Sequence, residues 1–248
     1  MKSQRGKLRE DISNYCRRVS FSQTAVRLCE DEATLKQEEF LHTVLTKELE
    51  SREESRKARL LKEAGFPVYK TLEGYDLSKV RCPPALSRED MIDAGFIKNK
   101  QNIVLYGKVG TGKTHLSVGV GIRACSLGYA VRFFTVAELV VRLSDAARNG
   151  TLEKLLRKIL KADLIILDEW GYVPIDRQGA QLLFRIISDS YERRSIIITT
   201  NLEFSKWGTV LTDDQMAAAM IDRLAHHGHL LIFEGDSYRM KNALMKHK

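Results

Sequence analysis

Gly107-Lys108-Val109-Gly110-Thr111-Gly112-Lys113-Thr114 is the stretch on which the fold turns. It has the spacing G-x-x-x-x-G-K-T, follows an apolar run at residues 103–106 and opens a segment with helical patterning. That placement gives the spacing its meaning. Glycines let backbone N–H groups wrap phosphates at a helix N-terminus, where the macrodipole favours negative charge. In such a loop Lys113 reaches the β- and γ-phosphates and the Thr114 hydroxyl reaches Mg²⁺. The expected nucleotide-binding run extends from Gly107 through His115.

Downstream, apolar runs at 131–134, 164–167 and 196–199 alternate with helical patterns through Arg148 and over 181–191. Continuously apolar strands separated by helices predict an α/β fold with a parallel sheet covered on both faces. The run Leu164-Ile165-Ile166-Leu167-Asp168-Glu169 ends in two carboxylates at the strand terminus, where open α/β sheets bind ligands. Neighbours on a strand face opposite ways, so Asp168 is assigned to the metal and Glu169 to an attacking water. Alone, such a pair equally suits helix capping, and it is the phosphate loop that favours the catalytic reading. Asn201 follows another buried strand, either as a turn residue or as the group that orients the lytic water.

The rest of the chain bounds the problem. Its 248 residues are 44% hydrophobic and 29% charged with only 4 Pro, which excludes collagen-like, low-complexity and largely disordered classes. No run of about 18 apolar residues occurs, so no membrane span is expected. The start, MKSQRGKLRED, meets acids before any apolar stretch, so a cytoplasmic protein is expected. Four scattered cysteines read as reduced thiols, and a net charge of +8 makes a polyanionic partner plausible against a merely basic surface.

Residues 1–64 read as a small all-helical N-terminal domain for partner or DNA interaction, in which Leu41, Leu45 and Leu49 recur at helical spacing. The pairs Glu48/Arg52 and Glu53/Lys57 stand at i, i+4. Residues 65–100, punctuated by Pro67, Gly74, Pro83-Pro84 and Gly95, read as a linker leading to the nucleotide site, with 101–248 as the ATPase domain.

The order of phosphate loop, Asp-Glu strand end and Thr199-Thr200-Asn201 resembles an AAA+ ATPase of the helicase-loader branch. More closely, residues 64–78 (AGFPVYKTLEGYDLS), Asp168-Glu169-Trp170-Gly171-Tyr172 and Met220-Ile221-Asp222-Arg223-Leu224 resemble the IstB family of insertion-sequence transposition helpers. The resemblance implies ATP and Mg²⁺ as cofactors, Lys113 and Thr114 as Walker A, Asp168 and Glu169 as Walker B, and Asn201 as sensor 1. It gives Arg223 as an arginine finger acting on a neighbouring subunit, with Arg193 and Arg194 as rivals, and Arg239 as sensor 2. The resemblance sets Gly74-Tyr75-Asp76 against the adenine, the other reading of that segment being a linker that only packs. The implied partners are duplex DNA, a cognate transposase of the IstA type and further copies of this chain in a ring or helix. The alternative implied function is a DnaC-like replicative helicase loader.

A basic insert at 136–162 carries Arg142, Arg148, Lys154, Arg157, Lys158 and Lys161, opposite an apolar stripe of Leu152, Leu155, Leu156, Ile159 and Leu160. Such a helix could track DNA phosphates, or be a solvated face. His226-His227-Gly228-His229 has no Cys or carboxylate beside it in sequence, so no metal site is expected there.

Overall fold

The computed structural model describes residues 4–241, so the outer ends of the first and last expected domains, 1–3 and 242–248, lie outside the described residues. Two compact units divide between Arg59 and Leu60.

The first unit contains α1 (Gln4–Arg18), α2 (Gln23–Glu32) and most of α3 (Leu35–Ala64). The Ser22 side chain caps α2 by accepting from the Ala25 N–H. Its core is small: Ile12, Cys16, Val19, Val26 and Leu45 are buried, with Leu41 and Leu49 half-buried beside them. Glu38, 1% exposed, accepts from Arg5 at 2.9 Å and Arg9 at 2.7 Å. The Arg5 hydrogen bond, more than any other contact, holds the Glu38 carboxyl below the usual carboxylate range. Along α3 the pairs Arg52–Glu48 and Lys57–Glu53 form at 2.6 and 3.9 Å.

The second unit is a six-stranded sheet of order β1-β6-β2-β5-β4-β3. Its strands are β1 (Val80–Arg81), β2 (Asn102–Gly107), β3 (Val131–Thr135), β4 (Leu164–Trp170), β5 (Ser195–Thr200) and β6 (Gly228–Phe233). Five run parallel, four of them at the predicted apolar runs and the fifth, β6, where no strand is predicted, and the two-residue β1 is antiparallel to β6 at the edge. Alternation along the strands splits the core between the faces. Ile103, Leu105, Ile166 and Ile197 pack with α6 (Lys113–Ser126). Ile165, Leu167, Ile196 and Ile198 pack with α7 (Val136–Arg148), α9 (Arg177–Ser190) and α11 (Asp214–His226). The fold is thus an α/β sheet with helices on both faces, preceded in the chain by an N-terminal helical region.

The segment punctuated by Pro and Gly carries structure that its composition does not announce. Besides β1 it forms α4 (Arg88–Ile92) and α5 (Gly95–Lys98), and it buries Leu86, Met91, Phe96 and Ile97. A reciprocal Ser87–Asp90 capping box starts α4. Its other short helices among the described residues are α8 (Leu152–Ile159), a 3-10 turn (Phe204–Lys206), α10 (Trp207–Leu211) and α12 (Tyr238–Lys241). Among the described residues no helix is long and apolar enough to cross a membrane.

Candidate functional site

Because β2, β4 and β5 are parallel neighbours, their C-terminal ends bring Gly107–Gly112, Asp168-Glu169 and Thr200-Asn201 to one edge of the sheet. After β2 the chain turns through Gly110 (φ +79°) and Gly112 (φ +102°), left-handed conformations that a side chain would strain. At Gly112 space is also closed, since a Cβ would lie 2.7 Å from the Tyr75 hydroxyl oxygen. Gly112 is the N-cap of α6 and supplies no side-chain hydrogen bond, so no cap side chain competes for the first N–H groups of that helix, the kind of group that binds anions.

Lys113, the first residue of α6, is buried and folds its ammonium back onto the loop, donating to the Gly107 and Lys108 carbonyls at 2.7 Å each. Burial pushes its pKa down to about 8, with Arg239 adding to the drop and Asp168 opposing it. One residue on, the Thr114 hydroxyl lies 3.0 and 3.1 Å from the two carboxylate oxygens of Asp168. Asp168 is 3% exposed, and burial raises its carboxyl above the usual range against hydrogen bonds from Thr199 and Thr114. A hydroxyl and a buried carboxylate in contact are the hard oxygen donors that Mg²⁺ takes, so the residues fit that ion.

Glu169 stands apart from Asp168, but not by regular strand alternation as the sequence suggests. Pairing between β4 and β5 shifts register between Leu167 and Trp170, and Glu169 has φ +62°. This bulge leaves Glu169 exposed between a buried Asp168 and a buried Trp170. The Asn201 Oδ1 is buried with no hydrogen-bond partner among the described residues, an acceptor free for a water or a ligand.

Other expected residues gather around this edge. Tyr75 donates to the Gly112 carbonyl at 3.1 Å and meets the His115 ring edge-on at 5.0 Å. Burial raises its phenol to about 12, so it stays protonated. Tyr238 N–H donates to the Gly110 carbonyl at 2.9 Å, which places exposed Arg239 close enough to influence Lys113 and Tyr172. The Tyr238 contact and the Tyr75 hydroxyl bond are tertiary, and no local spacing signals them.

Arg223, Arg193 and Arg194 are not at this edge. Arg223 lies in the last turn of α11, just before β6 begins, and Arg193 and Arg194 just precede β5, all towards the opposite edge of the parallel strands. Arg223 donates to the Ala219 carbonyl at 2.7 Å and rests over the Phe184 ring at 5.1 Å. Arg194 donates to the Asp189 carbonyl, and burial lowers its pKa.

In the basic insert, α7 is a core helix with Leu139 and Leu143 buried, while α8 buries Leu156 and Ile159 and exposes Lys154, Arg157 and Lys158. Lys161, just beyond, is also exposed. Arg142 and Arg148 are tied to Glu138 and Asp145 on their own helix. His226 and His227 do meet a carboxylate: Glu192, brought in by the fold, lies 3.2 Å from His227, and Tyr191 bonds His226 at 2.7 Å. Trp170 and Trp207 are fully buried against each other at 4.7 Å, in a packing role.

A family model described as IstB-like ATP binding protein matches residues 20–246. The ATP-binding protein of insertion sequence IS5376 from Geobacillus stearothermophilus is 34% identical, over 94% of this chain and 95% of that one. That of IS21 from Pseudomonas aeruginosa is 36% identical over 82% and 77%. Among solved structures, DnaI aligns with a TM-score of 0.55 at 19% identity, covering 73% of this chain and 93% of its own. The DnaC helicase loader aligns at 0.52 and 20%, covering 66% and 96%. At these identities the structural likeness speaks for the fold.

Proposed function

Because this chain belongs to the family of IstB-like ATP-binding proteins, we propose that it hydrolyses ATP, assembles on duplex DNA in its ATP-loaded form, and directs a partner transposase. The observation that carries the reading is the meeting of Thr114, Asp168 and Thr199 at the sheet edge, with exposed Glu169 and the unpartnered Asn201 oxygen from the adjoining strand ends. Catalysis at such a site is positioning plus charge stabilisation.

Each residue then has a task. The loop N–H groups and Lys113, released from the Gly107 and Lys108 carbonyls, bind the β- and γ-phosphates. Thr114 and Asp168 would hold Mg²⁺, which when bound would neutralise phosphate charge. Glu169 accepts a proton from the attacking water while Asn201 orients it. Arg223, away from the phosphate loop of its own chain, suits a finger offered to a neighbouring copy, so that hydrolysis depends on assembly. The names of the relatives, drawn from insertion sequences, support a transposase as the partner. Exposed Lys154, Arg157, Lys158 and Lys161 supply a phosphate-tracking surface.

Electron microscopy with a non-hydrolysable ATP analogue and a duplex of about 60 base pairs tests the reading, since one heterologous interface generates rings or helices. Nucleotide-dependent assemblies on duplex, lost in Lys113→Ala, are expected. Assembly on single strands alone would overturn the duplex role.

A further inference from the structure

Thr199 is 2% exposed and follows three isoleucines on β5, so its hydroxyl must find partners inside the protein. Both partners are on the acidic strand end. The hydroxyl donates to Asp168 Oδ1 and accepts from the Glu169 N–H at 3.0 Å. One proton and two lone pairs allow both bonds at once.

These bonds fall where regular pairing fails. The β4–β5 register holds as far as Leu167–Ile198 and resumes at Trp170–Thr200, with the left-handed Glu169 between. A non-glycine residue keeps such a backbone only where its surroundings over-determine it. From the far side of the bulge the Thr200 hydroxyl donates to the Trp170 carbonyl at 2.9 Å and accepts from Leu202 N–H at 3.0 Å. The other hydroxyl on Asp168, that of Thr114, belongs to the first turn of α6, so Thr199 is the partner that ties the carboxylate to the neighbouring strand.

Resting on the reading that Asp168 and Glu169 serve hydrolysis, we propose that Thr199 is a positioning residue that aims the Asp168 carboxylate and locks Glu169 in the turn that carries its side chain out to the site. It acts through those two residues and touches neither phosphate nor water. The C-terminal ends of β5 and β4 are thereby tied together across the bulge.

The full-length chain with Thr199→Val or Thr199→Ser tests this. Val keeps the shape and removes the hydroxyl, leaving the Glu169 N–H without its bond, whereas Ser keeps the hydroxyl. Without nucleotide, deuterium exchange at the Glu169 amide, read by NMR, is expected to be about tenfold or more faster in Val and near wild type in Ser. In steady state, Val is expected to lower kcat by about 30-fold with the KM for ATP within about threefold, and Ser to recover most of it. The half-saturating Mg²⁺ concentration should rise several-fold in Val alone. Unchanged exchange at Glu169 in Val, or equal losses in Val and Ser, would overturn the proposal and leave a packing role. A wild-type chain that does not hydrolyse ATP would sink the parent reading, while the exchange experiment would still decide this one.

Discussion

Up to Arg59 the chain closes a handful of apolar side chains and one carboxylate–guanidinium cluster among its helices, whereas from Leu60 onward it packs apolar layers on both faces of a sheet. The first leaves Phe21, Leu28, Leu35, Phe40 and Val44 exposed and spends a buried charge on holding itself together. Among its described residues, the second buries charge at Lys113 and Asp168, both at the candidate site. The contrast teaches where precision is needed. A site that must hold a hydroxyl, a carboxylate and a lysine within hydrogen-bond reach requires a large core behind it. The small helical unit rests partly on one ionised cluster, Arg5–Glu38–Arg9.

The largest effect should come from Lys113→Ala, which removes the charge from the phosphate loop while leaving the small unit untouched. ATP affinity, measured with a fluorescent analogue, is expected to fall by about 1,000-fold or more, which is about 4 kcal/mol. The wild type offers a milder version of the same experiment. With a free-state pKa of about 8, Lys113 is an ammonium below that pH and increasingly neutral above it, so affinity should decline as pH rises through 8. An affinity flat from pH 7 to 9 would detach this lysine from the phosphates.

Next, Leu143→Ala, fully buried in the large core, should cost about 3 kcal/mol in denaturant unfolding of the sheet unit. Val44→Ala, on an exposed position of α3, should stay within about 0.5 kcal/mol. Equal costs would erase the distinction between the two regions.

The smallest effect concerns Glu38. Its folded carboxyl titrates below the unfolded value, so its contribution is present above the ordinary carboxylate range and is lost as pH falls through the lowered folded value. Amide protection over residues 4–59 should therefore fade on acidification. Glu38→Gln should lower that protection at neutral pH and flatten its pH dependence, and an unchanged acid profile would show that the Arg5–Glu38–Arg9 cluster is ornamental.

What the sequence disclosed follows from how local each signal is. Buried parallel strands are continuous apolar runs, so β2, β3, β4 and β5 were legible to within a few residues, and the G-x-x-x-x-G-K-T spacing located the loop. The helix α3 and its i, i+4 ion pairs were legible for the same reason. By contrast, α4 and α5 are short and lie amid Pro and Gly, and only tertiary burial of Met91, Phe96 and Ile97 makes them part of the core. The strand β6 escaped because it begins at Gly228-His229 inside a histidine-rich run. In the site, Asp168 and Glu169 stood out as acids ending an apolar run, but the separation of their side chains depends on a bulge set by Thr199, thirty-one positions from Asp168. Periodicity cannot see a bond of that kind.

The central place of β2 also has a consequence in time. Ile103 sits between Ile197 and His229, both synthesised long after it, and the intervening chain must close large loops before β2 gains either neighbour. The helices α1, α2 and α3, whose contacts are near in sequence, can settle while the ribosome is still making the sheet. During that interval the apolar faces of β2, β3 and β4 have no β5 to pair with, which leaves the nascent chain sticky while its N-terminal helices are free to settle. The nucleotide pocket is therefore among the last features to exist, completed only as β5 and then β6 slot in on either side of the strand that carries its loop.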